Sequence, residues 1–240
     1  MAHTPRTHAA AAGVLYLTTH VTSVLAVAAY GSGLLAWGVL LELGLAVGCV
    51  GTGVLLWLLL RGTGPARAAT FALLRTVEAA VILAGTLPML ATAWLHDASV
   101  GSAPDGRTTA SDGATADLTA VIGDALDRVH TASFLVGQGL VISVNTIVLG
   151  WLLLDSRAAP RALALLGLAG GGLVLTSNLA QLFGAIPLNG AVAGACAAPV
   201  FAFEVWLAVL LMVRGLRVAP PPSTMRTDDP VPRERAADPA

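Results

Sequence analysis

Apolar residues fill this chain in six long runs, and the polar residues interrupting those runs are few enough to name one by one. The runs cover residues 13–30, 37–60, 68–95, 129–154, 162–183 and 191–213. Most exceed the roughly 20 residues that a helix needs to cross the hydrocarbon of a bilayer. The pattern predicts an all-α fold, a six-helix transmembrane bundle. Residues 1–12 read as a short polar leader, and 96–128 as an outer loop followed by an amphipathic helix with Leu118, Val121, Ile122, Leu126 and Val129 on one face. Residues 218–240, with Pro220, Pro221, Pro222 and many charges, read as a disordered tail.

The first run is two-sided. Thr18, Thr19, His20, Thr22 and Ser23 crowd one side of a helix, and Val14, Leu17, Val21 and Val24 form the opposite stripe. Arg6, an apolar stretch and the small-residue pattern Ala26, Val27, Ala28 also fit a cleaved signal peptide. The length of the run and its hydroxyl-bearing side favour a permanent span. Pro88 and Pro199 fall inside spans, where each removes the donor to a carbonyl four residues earlier, so kinks are expected there. Gly44 with Gly48, and Gly167 with Gly171, have the small-xxx-small spacing that lets helices approach closely.

Composition agrees with the pattern. Of 240 residues 56% are hydrophobic and only 11% charged, against about a quarter charged in a soluble domain, and the mean hydropathy is +0.79. Net charge is −1, all basic residues are Arg, and no basic face suggests nucleic acid as a partner. The partners implied are the lipid bilayer and, through the glycine faces or the tail, a second copy or another membrane protein. Cys49 and Cys196 each lie in an apolar run, where a thiol ordinarily serves as a small hydrophobe rather than half of a disulfide.

Arginine placement sets an orientation. With six spans, Arg6, Arg61, Arg67, Arg157, Arg161, Arg214, Arg217, Arg226, Arg233 and Arg235 share one side, and only Arg107 and Arg128 fall opposite. The positive-inside rule then places both termini in the cytoplasm.

The chemistry of the chain is concentrated in its intramembrane polar residues. Arg75 and Glu78, three apart in the third span, project from one helix face. An ionised group at the centre of a span costs about 2.5–3.5 kcal/mol even on the milder insertion scale, so both are expected to face inward. By the helical rise, Glu204, His20 and Asn145 fall at comparable depth, with Glu42 and Gln138 nearer the outside. His130, Gln138 and Asn145 recur at spacings of eight and seven along one side of the fourth span. Arg75, Glu78, Glu204, His20, Asn145, Gln138, Glu42 and His130 are therefore the candidate buried polar or ligand layer. Three carboxylates outnumber one arginine, so at least one acid is expected to be protonated, salt-bridged with His20 or exposed to water.

Four roles compete for this layer. It holds helix register, it binds or passes a small solute or proton, it serves a membrane enzyme, or it belongs to an accessory subunit. The first is favoured. No HExxH or CxxC pattern is present and no nucleophile has a base at a convincing spacing, so no catalytic residue, metal site or cofactor is assigned.

The same residues carry a likeness. THVTS at 19–23, LLELGLA at 40–46, LRTVEA at 74–79, VNT at 144–146, SRAAPR at 156–161 with LALLGLAGG after it, and PVFAFE at 199–204 followed by RG occur in this order. In that order they resemble the bacterial domain-of-unknown-function family 4386, over about residues 10–217. The resemblance implies a multi-helix protein of the bacterial inner membrane and brings no established activity, substrate or catalytic residue. Two departures stand out: the connector from Tyr30 to Trp37 is shorter than the family's polar one, and Thr131 and Ala132 follow His130 where an acidic and an aromatic residue are usual.

Overall fold

A computed structural model describes residues 5–101 and 110–217, all-helical apart from short turns. The helices are α1 (Pro5–Gly31), α2 (Leu35–Leu60), α3 (Pro65–Gly101), α4 (Ala110–Phe134), α5 (Ile142–Ser156), α6 (Arg161–Leu182) and α7 (Ala191–Val213). A π-helical stretch, Leu135–Val141, joins α4 to α5 without a break. Six stretches are long and apolar enough to cross a membrane, the fourth being the continuous helix Asp117–Ser156. The residues read as a disordered tail lie outside the described residues.

The spans close into a ring. α1 packs on α2 and α7, α2 on α3, α3 on α4 and α5, and α5, α6 and α7 follow in sequence. Val14, Val21 and Val24 are exposed while Thr19 is buried, so α1 has an outer stripe and an inner face, but Thr18 is exposed and Leu17 packs against the apolar core, against the side the sequence pattern gives each. At the end of the bundle that carries the α2–α3 and α5–α6 turns, Tyr16, Leu60, Phe71, Leu153, Phe203 and Leu211 belong to one apolar core. A smaller cluster, Leu45, Ala46, Cys49, Ala79 and Ile82, lies between α2 and α3.

Tryptophan and arginine mark the two interfaces. Trp57 lies under the Arg61 guanidinium at 5.2 Å, and Trp151 under that of Arg67 at 5.1 Å. Arg67 also pairs with Asp155, tying α3 to the end of α5. Trp37 and Trp94 are exposed toward the other end. Trp37 and Trp57 are twenty residues apart on α2, or about 30 Å at the helical rise, which matches the hydrocarbon thickness.

Several boundaries differ from the sequence expectation. Helix begins at Pro5, not near residue 13, and Ala9 and Ala12 are buried in the apolar core, so much of the expected leader is structural. Proline at the first helical position costs no hydrogen bond, which explains a start that hydropathy alone does not mark. The expected helix leading into the fourth span forms within α4, with Leu118, Val121, Ile122 and Val129 exposed and Leu126 half-buried. α3 and the helix that begins in α4 are much longer than the bilayer is thick, and they extend together beyond the other spans. Helix continues through Pro88 and Pro199.

The glycine pairs also act differently from one another. A Cβ on Gly48 would come within 2.5 Å of Thr19 Cγ2, whereas Gly44 has its nearest neighbour, Thr22 Cγ2, at 3.6 Å. A Cβ on Gly167 would lie 2.7 Å from the Phe203 ring of α7, but one on Gly171 would lie 2.7 Å from Ile147 Cγ1 of α5. The α6 pair is thus divided between two neighbours, letting α6 sit close to both.

Candidate functional site

The Arg75 side chain is 2% exposed and each of its three nitrogens hydrogen-bonds to a protein atom. Nη1 donates to both oxygens of Glu78, at 3.2 and 3.0 Å, while Nε and Nη2 donate to Thr52 Oγ1 at 3.2 and 3.1 Å. The guanidinium carbon lies 5.2 Å from the centre of the Tyr16 ring, within cation–π range. Glu78 is filled from other sides too: Asn145 Nδ2 donates to Oε2 at 2.7 Å and Cys49 Sγ lies 3.8 Å from Oε1. Residues of α1, α2, α3 and α5 therefore meet around one internally satisfied ion pair. This satisfaction is what allows burial, because a paired charge with its hydrogen bonds made avoids most of the cost of an isolated one.

Glu204 is placed differently. Its side chain is 6% exposed, and the nearest basic group is His20 Nε2 at 3.5 Å. That contact lacks hydrogen-bond geometry, leaving Nε2 buried without a protein hydrogen-bond partner. No protein donor is hydrogen-bonded to the Glu204 carboxyl among the described residues. The His20 ring lies against Phe201, centroids 4.9 Å apart.

A second polar cluster lies toward the other end of the bundle. Tyr30 Oη donates to Glu42 Oε2 at 2.8 Å, and Glu42 Oε1 is 3.6 Å from His130 Nε2. His130 Nδ1 is 2.9 Å from the Gly85 carbonyl, which can only accept, so Nδ1 carries a proton. Glu42 and Thr52 are ten residues apart on α2, placing this cluster about 15 Å from the Arg75 pair. The candidate residues fall at two depths: Arg75, Glu78, Asn145, His20 and Glu204 at one, and Glu42, expected nearer the outside, at another together with His130. Gln138, in the π-helical stretch, lies between them and accepts from Ser23 Oγ at 3.2 Å.

Two cavities connect this interior toward the α6–α7 turn. The first, about 210 Å³, is bounded by Arg75, Glu78, His20, Glu204 and Gln138 among others. The second, about 260 Å³, reaches Ser177, Asn178, Gln181 and Asn189. They share Gln138, Val174 and Ala197 as walls and so lie side by side. The space follows from sequence: Ala193, Gly194 and Ala197 give the first half of α7 too little side-chain volume to fill it. The apolar core that includes Phe203, Leu207 and Leu211 closes the bundle on the arginine-rich side.

Sequence reasoning missed Tyr16, Thr52, Tyr30 and Ser177. Thr52 was legible in principle, being a hydroxyl in the span that carries Glu42. Threonines in spans, however, ordinarily bond their own helix, as Thr18 and Thr76 do to carbonyls four residues earlier. Cys49 and Cys196 are free thiols. No group of three or more His, Cys, Asp or Glu able to hold a metal ion occurs among the described residues.

Six apolar spans closed around buried ionisable groups define a multi-pass membrane protein. The chain matches the family described as Domain of unknown function (DUF4386) over residues 8–215, and it belongs to that family. Neither curated proteins nor solved structures yield a match to it.

Proposed function

We propose that this protein resides in the bacterial cytoplasmic membrane with both termini inside, and that its buried ion pair fastens the bundle. The observation that carries the proposal is the saturation of Glu78, which takes hydrogen bonds from Arg75 of its own helix and Asn145 of α5 while Arg75 reaches Thr52 of α2. Such a pair fixes the rotation and depth of three helices at once, because sliding any one leaves a charge or amide unsatisfied in an apolar medium.

A double-mutant cycle on Glu78→Ala and Asn145→Ala, each of which removes one side of that hydrogen bond, tests the fastening role. The expected coupling is about 0.6–1.7 kcal/mol, the range for hydrogen bonds between spans, measured by reversible unfolding in detergent. Additive losses would refute it. Orientation has its own test, in a Cys196→Ala background that leaves only the buried Cys49. Ser32→Cys and Asn189→Cys are expected to react with a membrane-impermeant maleimide on intact cells, and Thr63→Cys only after permeabilisation. The reverse labelling pattern would overturn the orientation.

A second reading, entry of a small solute into the bundle, is favoured by the paired cavities. Their walls include Glu204, a buried carboxyl not hydrogen-bonded to a protein donor, and the arginine-side core opposes a passage straight through. The geometry therefore favours a binding recess reached from the α6–α7 side over an open channel.

A further inference from the structure

We propose that the recess beside Glu204 binds a small organic ammonium ion, its charged head on the Glu204 carboxyl and its hydrocarbon against the cavity wall. The inference rests on the solute-entry reading above and assigns that site a ligand class. Charge sets the sign. Arg75 faces the cavity, but its charge is paired with Glu78 and each of its three nitrogens already bonds Glu78 or Thr52, so it offers an anion no unpaired charge. The acid left for a ligand is Glu204, 94% buried by side chain and 3.5 Å from a histidine nitrogen that makes no hydrogen bond. A buried carboxylate needs a cation or donor beside it.

Size and wall chemistry select an organic cation over a bare metal ion. A cavity of about 210 Å³ is far larger than an ion held by a tight oxygen cage, and one of about 150 Å³ already admits benzene. Leu45, Ile142, Val174 and Val200 supply apolar wall, and Phe201 offers an aromatic ring beside His20. An ammonium group with a short alkyl chain matches both parts, since the ring and the carboxyl each attract the cation and the aliphatic residues accept the chain. Ala197 is exposed and borders both cavities, which gives the recess a rim of minimal side-chain bulk.

The test is thermal unfolding of the full chain in detergent with n-butylammonium chloride, and with n-butanol as an uncharged probe of equal length. The ammonium ion is expected to raise Tm by about 2–4 °C near saturation, with little effect from the alcohol. Glu204→Gln is expected to abolish the shift, Glu42→Gln to keep it, and Ala197→Phe, which narrows the rim without touching the carboxyl, to reduce it. Equal shifts from amine and alcohol, both lost in Ala197→Phe, would overturn the ammonium assignment while leaving a solute-binding recess. No shift from either probe would overturn both. An ammonium shift that persists in Glu204→Gln would also sink the assignment, and Ala197→Phe keeps the question answerable if Glu204→Gln fails to assemble.

Discussion

Replacing Glu78 with alanine is expected to lower the stability of the bundle by about 3–5 kcal/mol, because it leaves the Arg75 guanidinium buried without its carboxylate. The argument rests on geometry: the side chains of both partners are 2% exposed, and the shortest contact between them is 3.0 Å. Thr52 retains its contacts with Nε and Nη2 in that variant, but a hydroxyl does not neutralise a charge. For a chain of this length the loss corresponds to roughly 6–20 °C in Tm, read by loss of helical circular dichroism on heating in detergent. Glu78→Gln keeps one acceptor oxygen and should fall between wild type and Glu78→Ala.

The same pair supplies its own control. Arg75→Met combined with Glu78→Met removes both charges and is expected to cost less than either single replacement, since a buried ion pair is often no better than apolar residues of similar volume. A double variant as damaged as the sum of the singles would mean that the two residues do not act on each other. The distinction matters for the fastening role: it requires that breaking the pair be worse than deleting it.

That Arg75 and Glu78 share a helix face in an apolar surround was readable from their spacing; which carboxylate pairs with Arg75 was not, and the structure gives Glu78, at 3.0 Å. Depth was readable as well: Asn145, placed at the level of the pair by the helical rise, does bond Glu78. Rotation was not. Glu42 was placed nearer the outside by the helical rise, but that it meets Tyr30 and His130 there was not legible, because sequence gives height along a span more directly than the neighbour a side chain meets across the bundle. The π-helical stretch Leu135–Val141 adds to this, because widening the helix re-aims the residues that follow it, and hydrophobic periodicity does not reveal where that occurs. His130, which precedes that stretch, is held between the Glu42 carboxyl and the Gly85 carbonyl, contacts that no spacing in the sequence announces.

Close packing was the least legible feature. Spacing singled out Gly44, Gly48, Gly167 and Gly171, but Gly44 has ordinary clearance. Gly13, Gly53 and Gly150 are tightly enclosed and belong to no pair that stood out. A small-xxx-small pattern records that two small residues share a helix face; whether a neighbour's backbone approaches depends on where the ring closes. Of the backbone atoms that an added Cβ would meet at the glycines of the described residues, the nearest lies in the seam between α1 and α7, the first and last spans.

Gly13→Ala is therefore expected to destabilise the protein by about 1–3 kcal/mol, the usual cost of forcing atoms into a filled interior. The added Cβ would lie 2.5 Å from the Ala208 carbonyl oxygen, 2.7 Å from Met212 Cγ and 3.2 Å from Leu211 Cβ. Met212 can turn aside; the carbonyl cannot without moving α7. Gly172→Ala is the matched control, because a Cβ there meets nothing within 4 Å and alanine is the better helix former by about 0.5–1 kcal/mol. Thermal unfolding should therefore place Gly13→Ala below wild type and Gly172→Ala at or above it. If both alanines behaved alike, the α1–α7 seam would be looser than its geometry indicates, and His20 and Glu204, which face each other across that seam, would not be held as one site.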